Sequence, residues 1–405
     1  MSISAAVFIE SNTSGSGADF VLRARELGLF PVFITASPER YGFVRGSANI
    51  DLRICDTSSE AAVTAEVDSV AAERPIRLLT TSSDLYLYIA AFQAKRLGLA
   101  GPEPDVIALC RDKARQAAVL RAHGIVVPRS AVVRRHCDIG DAIARAGLPA
   151  VVKPVSGTGS NGVSLVRTTT EAIQAVRKLL ETTTDLRGRP TPCGALLMSY
   201  VAGAEFSVEI LDKHVLGVTR KHLGSLPHFV EIGHDVPAII SHQLRMKIVQ
   251  SAVGALEVLG HTRGPAHVEL RAERDRVTII EVNPRLAGGS IPSLLRYVSG
   301  FDAVRAVLLS LLGKRAAGPT VGTHGSIRFI IPARDGQFYL PPDADGLVER
   351  FRLAEFTWYR TLPIDFRRCD DFRDRIGHVI AIDDNPDAAA HRADAAINFI
   401  RDAGG

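Results

Sequence analysis

Short apolar runs alternate with helical patterns over the first 105 residues. The runs at 5–9, 31–35, 52–55 and 76–80 are typical of strands, and the segments at 18–27, 60–73 and 84–97 have the spacing and length of helices. Strands that alternate with helices predict a parallel sheet covered on both faces, with right-handed crossovers. We therefore expect an α/β domain over residues 1–105.

After a Gly- and Pro-rich linker at 101–104, a helix is expected from Asp112, its cap, to His123, with Gly124 as its stop. Lys113 lies in the first turn, where the helix dipole favours negative charge. A bound phosphate would account for a lysine at this position. A solvated lysine is the alternative.

The run at 150–154 is typical of a strand and carries one lysine, Lys153, before a loop with three glycines at 155–163. Backbone N–H groups and hydroxyls of such a loop can fold over phosphate oxygens. The loop lacks the spacing of a Walker A motif, and residues 163–167 are typical of a returning strand. We expect a hairpin lid over a ligand, with a simple flexible hairpin as the alternative.

The middle of the chain continues with an apolar segment at 196–201 and a strand at 203–210 with alternating carboxylates. An apolar connector between two small domains can accept a flat aromatic base. A core-facing stripe predicts a helix over 241–259. In the tail, strands are expected at 326–331 and 378–382 and a helix at 387–401, as a small closing subdomain.

The most informative stretch is 266–270 followed by 278–285, two strand-like runs with a polar link between them. If the hairpin loop centres near Asp275, Glu269 and Glu281 become cross-strand neighbours, and Asn283 shares a face with Glu281. Two facing carboxylates and an amide are oxygen ligands that suit Mg²⁺. Mg²⁺ also binds substrate phosphates, and the Arg285 guanidinium can reach the same phosphate as the metal ion. The alternative is a surface hairpin with solvated charges.

Composition narrows the class of protein. At 405 residues two or three domains are expected. The net charge of +4, from 48 basic and 44 acidic residues with no long like-charge run, argues against nucleic acid as a partner. Apolar stretches such as 303–312 are far short of the roughly 20 residues that span a bilayer. The N-terminus lacks a signal-peptide pattern, so a cytoplasmic location and no membrane partner are expected. Five scattered cysteines suggest neither disulfides nor zinc.

The order of these features resembles the ATP-grasp superfamily across nearly the whole chain. The features are a lysine after a linker, a lysine before a glycine-rich hairpin, a hinge with Gly-x-Glu at 203–205, and the set Glu269, Glu281, Asn283 and Arg285. The ending EVNPRLAGGSIP and the tail are most similar to carboxylate–amine ligases of the L-amino-acid ligase branch, which make dipeptides and related amides.

The resemblance implies an α/β fold of the α+β ATP-grasp type, with ATP between two subdomains. Its four parts are an N-terminal parallel-sheet (pre-ATP-grasp) domain at 1–105, a linker helix and lid subdomain at 106–200, a catalytic subdomain with the metal site at 201–313, and a small closing subdomain at 314–405.

It also implies roles for particular residues. The residues implied to bind ATP fall into four groups. Lys113 and Lys153 bind the phosphates, and the lid residues Ser156, Gly157, Ser160 and Gly162 cover them. Met198, Ser199 and Val201 lie at the adenine, and Glu205 binds the ribose. The residues implied to bind metal are Glu269, Glu281 and Asn283. They would hold two Mg²⁺ ions, or Mn²⁺ in place of Mg²⁺. At the hinge this chain has Met198 and Ser199 where relatives often have a glutamate before the aromatic.

The implied activity is that of an ATP-dependent C–N ligase. A small carboxylate, such as an amino acid, attacks the γ-phosphate, and an amine then displaces phosphate from the acyl phosphate, as in dipeptide or secondary-metabolite biosynthesis. Residues assigned to this chemistry are Lys153, Lys221, Arg285 and His234, with Glu231, His234, Arg285, Gly288 and Gly289 at the substrates. Arg220 or Arg296 is the alternative partner for a substrate carboxylate. A homodimer is the expected assembly.

Two other functions stay open. Purine-biosynthetic and biotin-carboxylase-like enzymes have the same phosphate and metal residues but activate bicarbonate or formate. A nucleotide sensor or scaffold would keep the fold and lose a metal carboxylate or Arg285, and this chain loses neither. The small-residue loop at 11–17 lacks the GxGxxG spacing, so a tight turn or a loop beside a substrate is favoured over a dinucleotide site.

Overall fold

The computed structural model describes residues 3–13, 16–44, 49–157, 159–185, 187–191, 193–320, 322–341 and 344–404. The strands are β1 (Ala5–Ile9), β2 (Phe30–Thr35), β3 (Asp51–Ile54), β4 (Ile76–Thr80), β5 (Ser130–Val133), β6 (Ala150–Pro154), β7 (Ser164–Val166), β8 (Ala195–Ser199), β9 (Ala204–Leu211), β10 (His214–Leu223), β11 (Glu231–Val236), β12 (Pro265–Glu273), β13 (Arg276–Asn283), β14 (His324–Ile330), β15 (Gly336–Phe338), β16 (Leu353–Trp358), β17 (Ile364–Phe366) and β18 (Gly377–Asp383). The helices are α1 (Gly17–Glu26), α2 (Glu60–Glu73), α3 (Leu87–Arg96), α4 (Pro104–Arg111), α5 (Lys113–Ala122), α6 (Ile139–Ala146), α7 (Thr169–Leu180), α8 (His242–Leu259), α9 (Ile291–Ser299), α10 (Ala303–Leu311), α11 (Leu347–Phe351) and α12 (Pro386–Gly404).

The N-terminal domain is the parallel sheet that the sequence predicts, in the order β3-β2-β1-β4. Every residue of β1 is buried, because helices cover both faces. On one face α2 and α3 pack against Val7 and Ile9. The other face, with Phe8, packs against α1 and against α10, which lies more than 290 residues later in the chain. The N-terminal domain therefore shares its core with a helix of the central part of the chain.

The lid subdomain is a four-stranded antiparallel sheet in the order β5-β8-β6-β7. Helices α6 and α7 cover one face through Ala142, Ala146 and Val176. As predicted, β6 carries Lys153 and β7 returns from the glycine-rich loop. Asp112 caps α5 by accepting hydrogen bonds from the N–H groups of Ala114 and Arg115, so the predicted helix start is confirmed.

The largest sheet has eight strands in the order β13-β12-β9-β10-β11-β14-β18-β16. Its back face is apolar, with Phe206 and Val208 on β9 and Val268 on β12 packed against α8. Because strand side chains alternate between faces, the intervening polar residues all lie on the front face. The predicted stripe of α8 is the surface that buries the back of this sheet.

A β-bulge in the β12–β13 hairpin decides which face carries the metal residues. The turn at Arg274 and Asp275 pairs Leu270 with Ile279, and the register then shifts so that Glu269 pairs with Glu281. In a regular register Ile280 would pair with Glu269, and Glu281 would pair with Val268 on the apolar back face, since a one-residue shift exchanges the two faces. The predicted pairing of Glu269 with Glu281 is confirmed, and the bulge is its cause.

The tail joins the same large sheet, because β14 pairs with β11 and β18 pairs with β14. The boundary at 313/314 falls between α10 and β14, and the four-part division stays a prediction. Among the helices of the described residues, none has the length and apolar character needed to cross a membrane.

Candidate active site

The front face of the large sheet carries a continuous set of charged and polar side chains. The cross-strand register places Lys221 beside Glu205 and His234, and it places Glu209, His267 and Asn283 in one row. These residues face away from the apolar back face that α8 covers. The members of this set are Glu205, Ser207, Glu209, Lys221, His234, His267, Glu269, Arg271, Glu281 and Asn283.

Two lysines from outside the sheet meet at Glu281. Lys113 Nζ, from α5, donates to Glu281 Oε1 at 2.7 Å, and Lys153 Nζ, from β6, donates to Oε2 at 3.3 Å. Burial alone would raise the pKa of Glu281, but the two cations outweigh it and hold the pKa below its usual range. Burial also lowers the pKa of Lys153, more than Glu281 raises it. Three parts of the chain thus bring charged groups to one point.

Lys221 is the centre of a second cluster within the sheet. Its Nζ lies 2.6 Å from Glu231, 3.0 Å from Glu269 and 3.3 Å from Glu205, and the side chain is 2% exposed. Burial opposes the charge, yet the three carboxylates hold the pKa of Lys221 well above its ordinary value. Lys221, which the resemblance assigns to the chemistry, is therefore already surrounded by carboxylates and balances part of their charge.

His267 lies between two carboxylates. Its Nδ1 is 3.0 Å from Glu209 and its Nε2 is 3.1 Å from Glu269. Burial disfavours the imidazolium, but the two carboxylates outweigh burial and raise the pKa of His267 to about 9. In this arrangement His267 is protonated at neutral pH and balances the charge of Glu269.

Arg285 contacts the N-terminal domain. Its Nε donates to Asp84 Oδ2 at 3.1 Å, and its guanidinium also donates to the Leu286 carbonyl at 3.0 Å. Burial lowers the pKa of Arg285, but Asp84 outweighs burial, so the cation is retained. The arginine predicted to reach a phosphate is thus positioned by a carboxylate from another domain.

The hinge differs in part from the predicted adenine site. The Ser199 N–H donates to the Arg129 carbonyl at 2.8 Å, so it is not free to read a base, and Met198 packs in a small core with Val155. The Val201 carbonyl and the Glu205 carboxylate both accept from Arg271. The Ser199 N–H is therefore already paired, and the implied contact of the Ser199 and Val201 backbone with adenine stays a prediction.

The glycine-rich loop carries several predicted lid residues, although Thr158 lies outside the described residues. Ser156 Oγ contacts Thr191 Oγ1 at 3.0 Å, and the Gly157 carbonyl accepts from Lys113 at 2.9 Å. Ser160 and Gly162 both have positive φ, and a Cβ on Gly162 would lie 2.9 Å from the Leu179 side chain. A side chain at Gly162 would therefore strain this turn.

The predicted substrate residues lie together beyond Lys221. Glu231 binds Lys221 and also Arg375, at 2.6 Å each, and these cations hold its pKa far below the usual range against the effect of burial. His234 is fully buried, neither ring nitrogen has a hydrogen-bond partner among the described residues, and burial lowers its pKa to about 3. Gly289 lies directly over this ring, since a Cβ there would be 2.5 Å from His234 Nε2.

Neither of the two alternative carboxylate partners joins this group. Arg220 lies on the back face of the sheet, opposite to Lys221, and its guanidinium is 4.9 Å from the centre of the Phe206 ring. Arg296 lies in α9 over Tyr297. A Cβ on Gly288 would meet no atom within 4 Å, so Gly288 has open space beside it.

Oxygen ligands for a metal ion are present in part. Within the described residues no group of three or more His, Cys, Asp or Glu side chains is arranged to hold a metal. The predicted set has two carboxylates and the amide of Asn283, which is buried on the same face. This donor set suits Mg²⁺, which keeps phosphate and water oxygens in its remaining positions.

Sequence reasoning missed several residues of the site. His267 and Arg271 flank Glu269 at a spacing of two, so the strand period could have placed them on the same face. Asp84 and Arg375 lie about 200 and 144 residues from their partners, and no local pattern connects them. Gln116 hydrogen-bonds both the N–H and the carbonyl of Val282, which fixes the strand between Glu281 and Asn283.

The comparisons with known proteins agree with this geometry. Residues 146–293 match the ATP-grasp domain family. The chain is 28% identical to the uncharacterised protein y4rH of Sinorhizobium fredii, over 93% of this chain and 78% of that protein. It is 26% identical to alanine–anticapsin ligase of Bacillus amyloliquefaciens (64% of this chain, 59% of that protein) and 27% identical to carnosine synthase 1 of Homo sapiens (58% and 30%). The chain thus spans well under two thirds of these characterised relatives.

Solved structures extend the likeness to the whole chain. The crystal structure of an L-amino acid ligase from Bacillus licheniformis superposes with a TM-score of 0.82 at 22% identity, over 99% of this chain and 97% of that one. An N5-carboxyaminoimidazole ribonucleotide synthetase in complex with ADP follows at 0.75 and 16%, over 99% of each chain. At these identities the likeness establishes the fold. Together with the matched domain, it confirms the predicted α/β fold, within which residues 146–293 match the ATP-grasp domain family.

Proposed function

We propose that this protein is an ATP-dependent carboxylate–amine ligase that forms an amide or peptide bond through an acyl phosphate. The observation that carries the proposal is the meeting of Lys113 and Lys153, from two other parts of the chain, at Glu281 on the front face. The characterised relatives are named as ligases or synthases that join amino acids or related molecules. The same class of reaction is proposed here.

ATP would be held between the lid sheet and the front face. Lys113 and Lys153 would release Glu281 and bind the phosphates. The phosphates would be covered by the glycine-rich loop, with Ser156, Gly157, Ser160 and Gly162. At the hinge, the adenine would lie near Met198 and Val201, and Glu205 would accept the ribose hydroxyls. Glu205 keeps lone pairs for this role, although it also accepts from Arg271.

The metal site would use Glu269, Glu281 and Asn283. When bound there, Mg²⁺ would neutralise the charge that develops on the transferred phosphoryl group. The number of ions stays a prediction. His267 and Lys221 already balance Glu269, so both would adjust their contacts when a divalent cation takes that carboxylate.

Chemistry then proceeds without a nucleophile from the protein. A carboxylate oxygen of the acid substrate attacks the γ-phosphorus, the bond to ADP breaks, and an acyl phosphate forms. The amine attacks the acyl carbon, the bond to phosphate breaks, and the nitrogen loses a proton. Arg285 would stabilise the anionic transition states, and Glu231 with His234 forms the candidate site for the amine and its proton. The backbone at Gly288 and Gly289 lets the reacting centre approach closely.

The test is a matrix of small carboxylates and amines assayed for ADP and phosphate release. Turnover that requires both an acid and an amine, with an amide as product, is expected, and amino acids are the first acids to try. The second candidate, supported by the structural likeness to the N5-carboxyaminoimidazole ribonucleotide synthetase, is activation of bicarbonate. Turnover with bicarbonate plus aminoimidazole ribotide alone would exclude the amide ligase.

A further inference from the structure

A short loop in the tail, residues 369–375, contacts the glycine-rich loop; we name it the bridging loop. Asn161 Nδ2 donates to Asp371 Oδ2 at 2.7 Å, and the Phe372 N–H donates to the Gly159 carbonyl at 3.3 Å. The Phe372 ring lies so close to Gly159 that a Cβ there would be 2.4 Å from it. The tail therefore holds the part of the lid that is expected to cover the phosphates.

The other end of the bridging loop contacts the candidate substrate site. Arg375 donates to Glu231 Oε2 at 2.6 Å and to the Glu231 carbonyl at 3.1 Å. Its guanidinium also lies over the Phe329 ring at 4.2 Å, which fixes its direction. Asp371 and Arg375 are four residues apart, so one short segment contacts both the lid and Glu231.

Internal hydrogen bonds make this loop a rigid connection. Asp374 is buried and accepts from the N–H groups of Cys369 at 2.6 Å and Asp370 at 2.9 Å. Asp371 accepts from the backbone and the guanidinium of Arg373. Because both carboxylates accept hydrogen bonds from other residues of the loop, a shift at one end displaces the other end as well.

The segment before Glu231 contacts the lid in the same way. Leu165 N–H, beyond the glycine-rich loop, donates to the Pro227 carbonyl at 2.8 Å, and Ser164 pairs with His228 as an isolated bridge. His228 Nε2 also lies 3.4 Å from Asp370 of the bridging loop. Glu231 thus lies between two segments that are both attached to the lid hairpin.

We propose that Asn161 and Asp371 are positioning residues that couple nucleotide binding under the lid to the arrangement of Glu231. This inference rests on the proposed function and adds a link between the nucleotide site and the candidate site for the amine. When the glycine-rich loop is held over the phosphates, the Asn161–Asp371 hydrogen bond holds the bridging loop, and Arg375 then holds Glu231 for the amine. Loss of the bond separates phosphoryl transfer from amide formation.

The experiment compares three variants with the wild-type chain. Asn161→Asp places two carboxylates together where a hydrogen bond was, and the exchanged pair Asn161→Asp with Asp371→Asn restores one donor and one acceptor. Asp365→Asn is the matched control, because Asp365 is an exposed carboxylate of the same tail that forms an ion pair with the exposed Arg367, away from the bridging loop's contacts with Asn161 and Glu231. Thermal unfolding establishes that each variant is folded.

The first measurement is the ratio of ADP formed to amide formed, with the KM of the amine. Asn161→Asp is expected to raise the ratio or the KM about fivefold or more, the size of a typical coupling between two sites. The exchanged pair should return both values to within about twofold of wild type. Wild-type values in folded Asn161→Asp, or no recovery in the exchanged pair, would overturn the proposal.

The second measurement is hydrogen exchange of residues 225–236 with and without Mg-ATP. The coupling predicts slower exchange on nucleotide addition in the wild type and in the exchanged pair, and little change in Asn161→Asp. An equal response in all of them would contradict the coupling. This measurement needs only nucleotide binding, so it tests the coupling independently of catalysis. The proposed function itself would be defeated by a different result, the absence of phosphate release with every acid and amine pair.

Discussion

Two carboxylate clusters on one sheet face are neutralised in different ways. Glu281 is balanced by Lys113 and Lys153, which come from α5 and β6, outside the sheet. Glu205, Glu231 and Glu269 share Lys221, which belongs to the sheet itself. The first cluster forms only where three parts of the chain meet, whereas the second forms within one sheet.

The difference has a functional meaning. A lysine from another subdomain can leave Glu281 and bind a phosphate without disturbing the fold of the sheet. Loss of Lys221 would remove the cation that three partly buried carboxylates share and leave only His267, Arg271 and Arg375 to balance them. Breaking a buried ion pair in this way costs several kcal/mol. We therefore assign the exchangeable lysines to ATP and regard Lys221 as the fixed cation that holds Glu231 and Glu269 in place.

The largest effect is expected for Glu281→Gln. The substitution keeps the shape of the side chain but removes the charge that binds the lysines and the metal ion, so ATP-dependent phosphate release should fall by more than about 1,000-fold. The chain should stay folded, with the unfolding midpoint lowered because Lys113 and the buried Lys153 lose their common carboxylate. Near-normal turnover would refute the metal role of Glu281.

A comparison of Lys221→Met with Lys153→Met tests the difference between the clusters directly. Lys221→Met should cost about 3–5 kcal/mol in the free energy of unfolding, because three buried carboxylates lose their common cation. Lys153→Met should cost about 1 kcal/mol or less, since Lys113 still pairs with Glu281, and should weaken ATP binding instead. Urea unfolding and calorimetric titration with ATP measure the two quantities. Equal destabilisation by both substitutions would remove the distinction.

Arg285→Ala belongs with the exchangeable group, because Arg285 is paired across domains with Asp84. ATP should still bind, while amide formation falls about 100-fold, the usual loss when one group that stabilises a transition state is removed. Binding is followed by calorimetry and product by chromatography. Unchanged ligation would mean that Arg285 only joins the two domains.

The smallest effect concerns pH and His267. Its pKa is about 9 in the folded protein, above the ordinary value of about 6.5 for an unfolded chain. The contribution of His267 to stability is therefore complete below about pH 6.5 and is lost as the pH rises through 9, on the order of 2 kcal/mol in all. Urea unfolding at pH 6 and pH 9.5, in the presence of a chelator, measures the loss.

The matched variant for this measurement is His267→Gln, whose side chain does not titrate in this range. It should show the smaller decrease in the free energy of unfolding between the two pH values. An equal decrease in both proteins would show that other groups cause the pH dependence.

Local patterns were sufficient for much of the fold. The predicted strand at 5–9, the helix at 60–73 and the strand at 150–154 agree with the structure to the residue. Asp112 caps its helix as predicted, and the helix predicted over 241–259 lies between the caps Ser241 and Gly260. These features depend on neighbours within one or two turns, which is why periodicity and capping predict them.

The sequence predicted which residues belong to the candidate site better than it predicted which of them contact one another. Glu269, Glu281 and Asn283 lie on one face, and Lys113 and Lys153 meet there. The contacts of Lys221 and the loss of the Ser199 N–H to sheet pairing were not predictable, because both depend on strands that become neighbours only after folding. Whether each predicted residue binds ATP, metal or substrate stays a prediction.

By itself, the sequence determined which residues are candidates for the chemistry, because strand alternation and the order of lysines, glycines and carboxylates are local properties of the chain. Only the tertiary structure decided how those charges are paired. The bulge at Ile280 moves Glu281 and Asn283 to the front face, and Asp84 and Arg375 reach their partners across more than 140 residues. Charge pairing acts through space, so it depends on domain packing that no local pattern records.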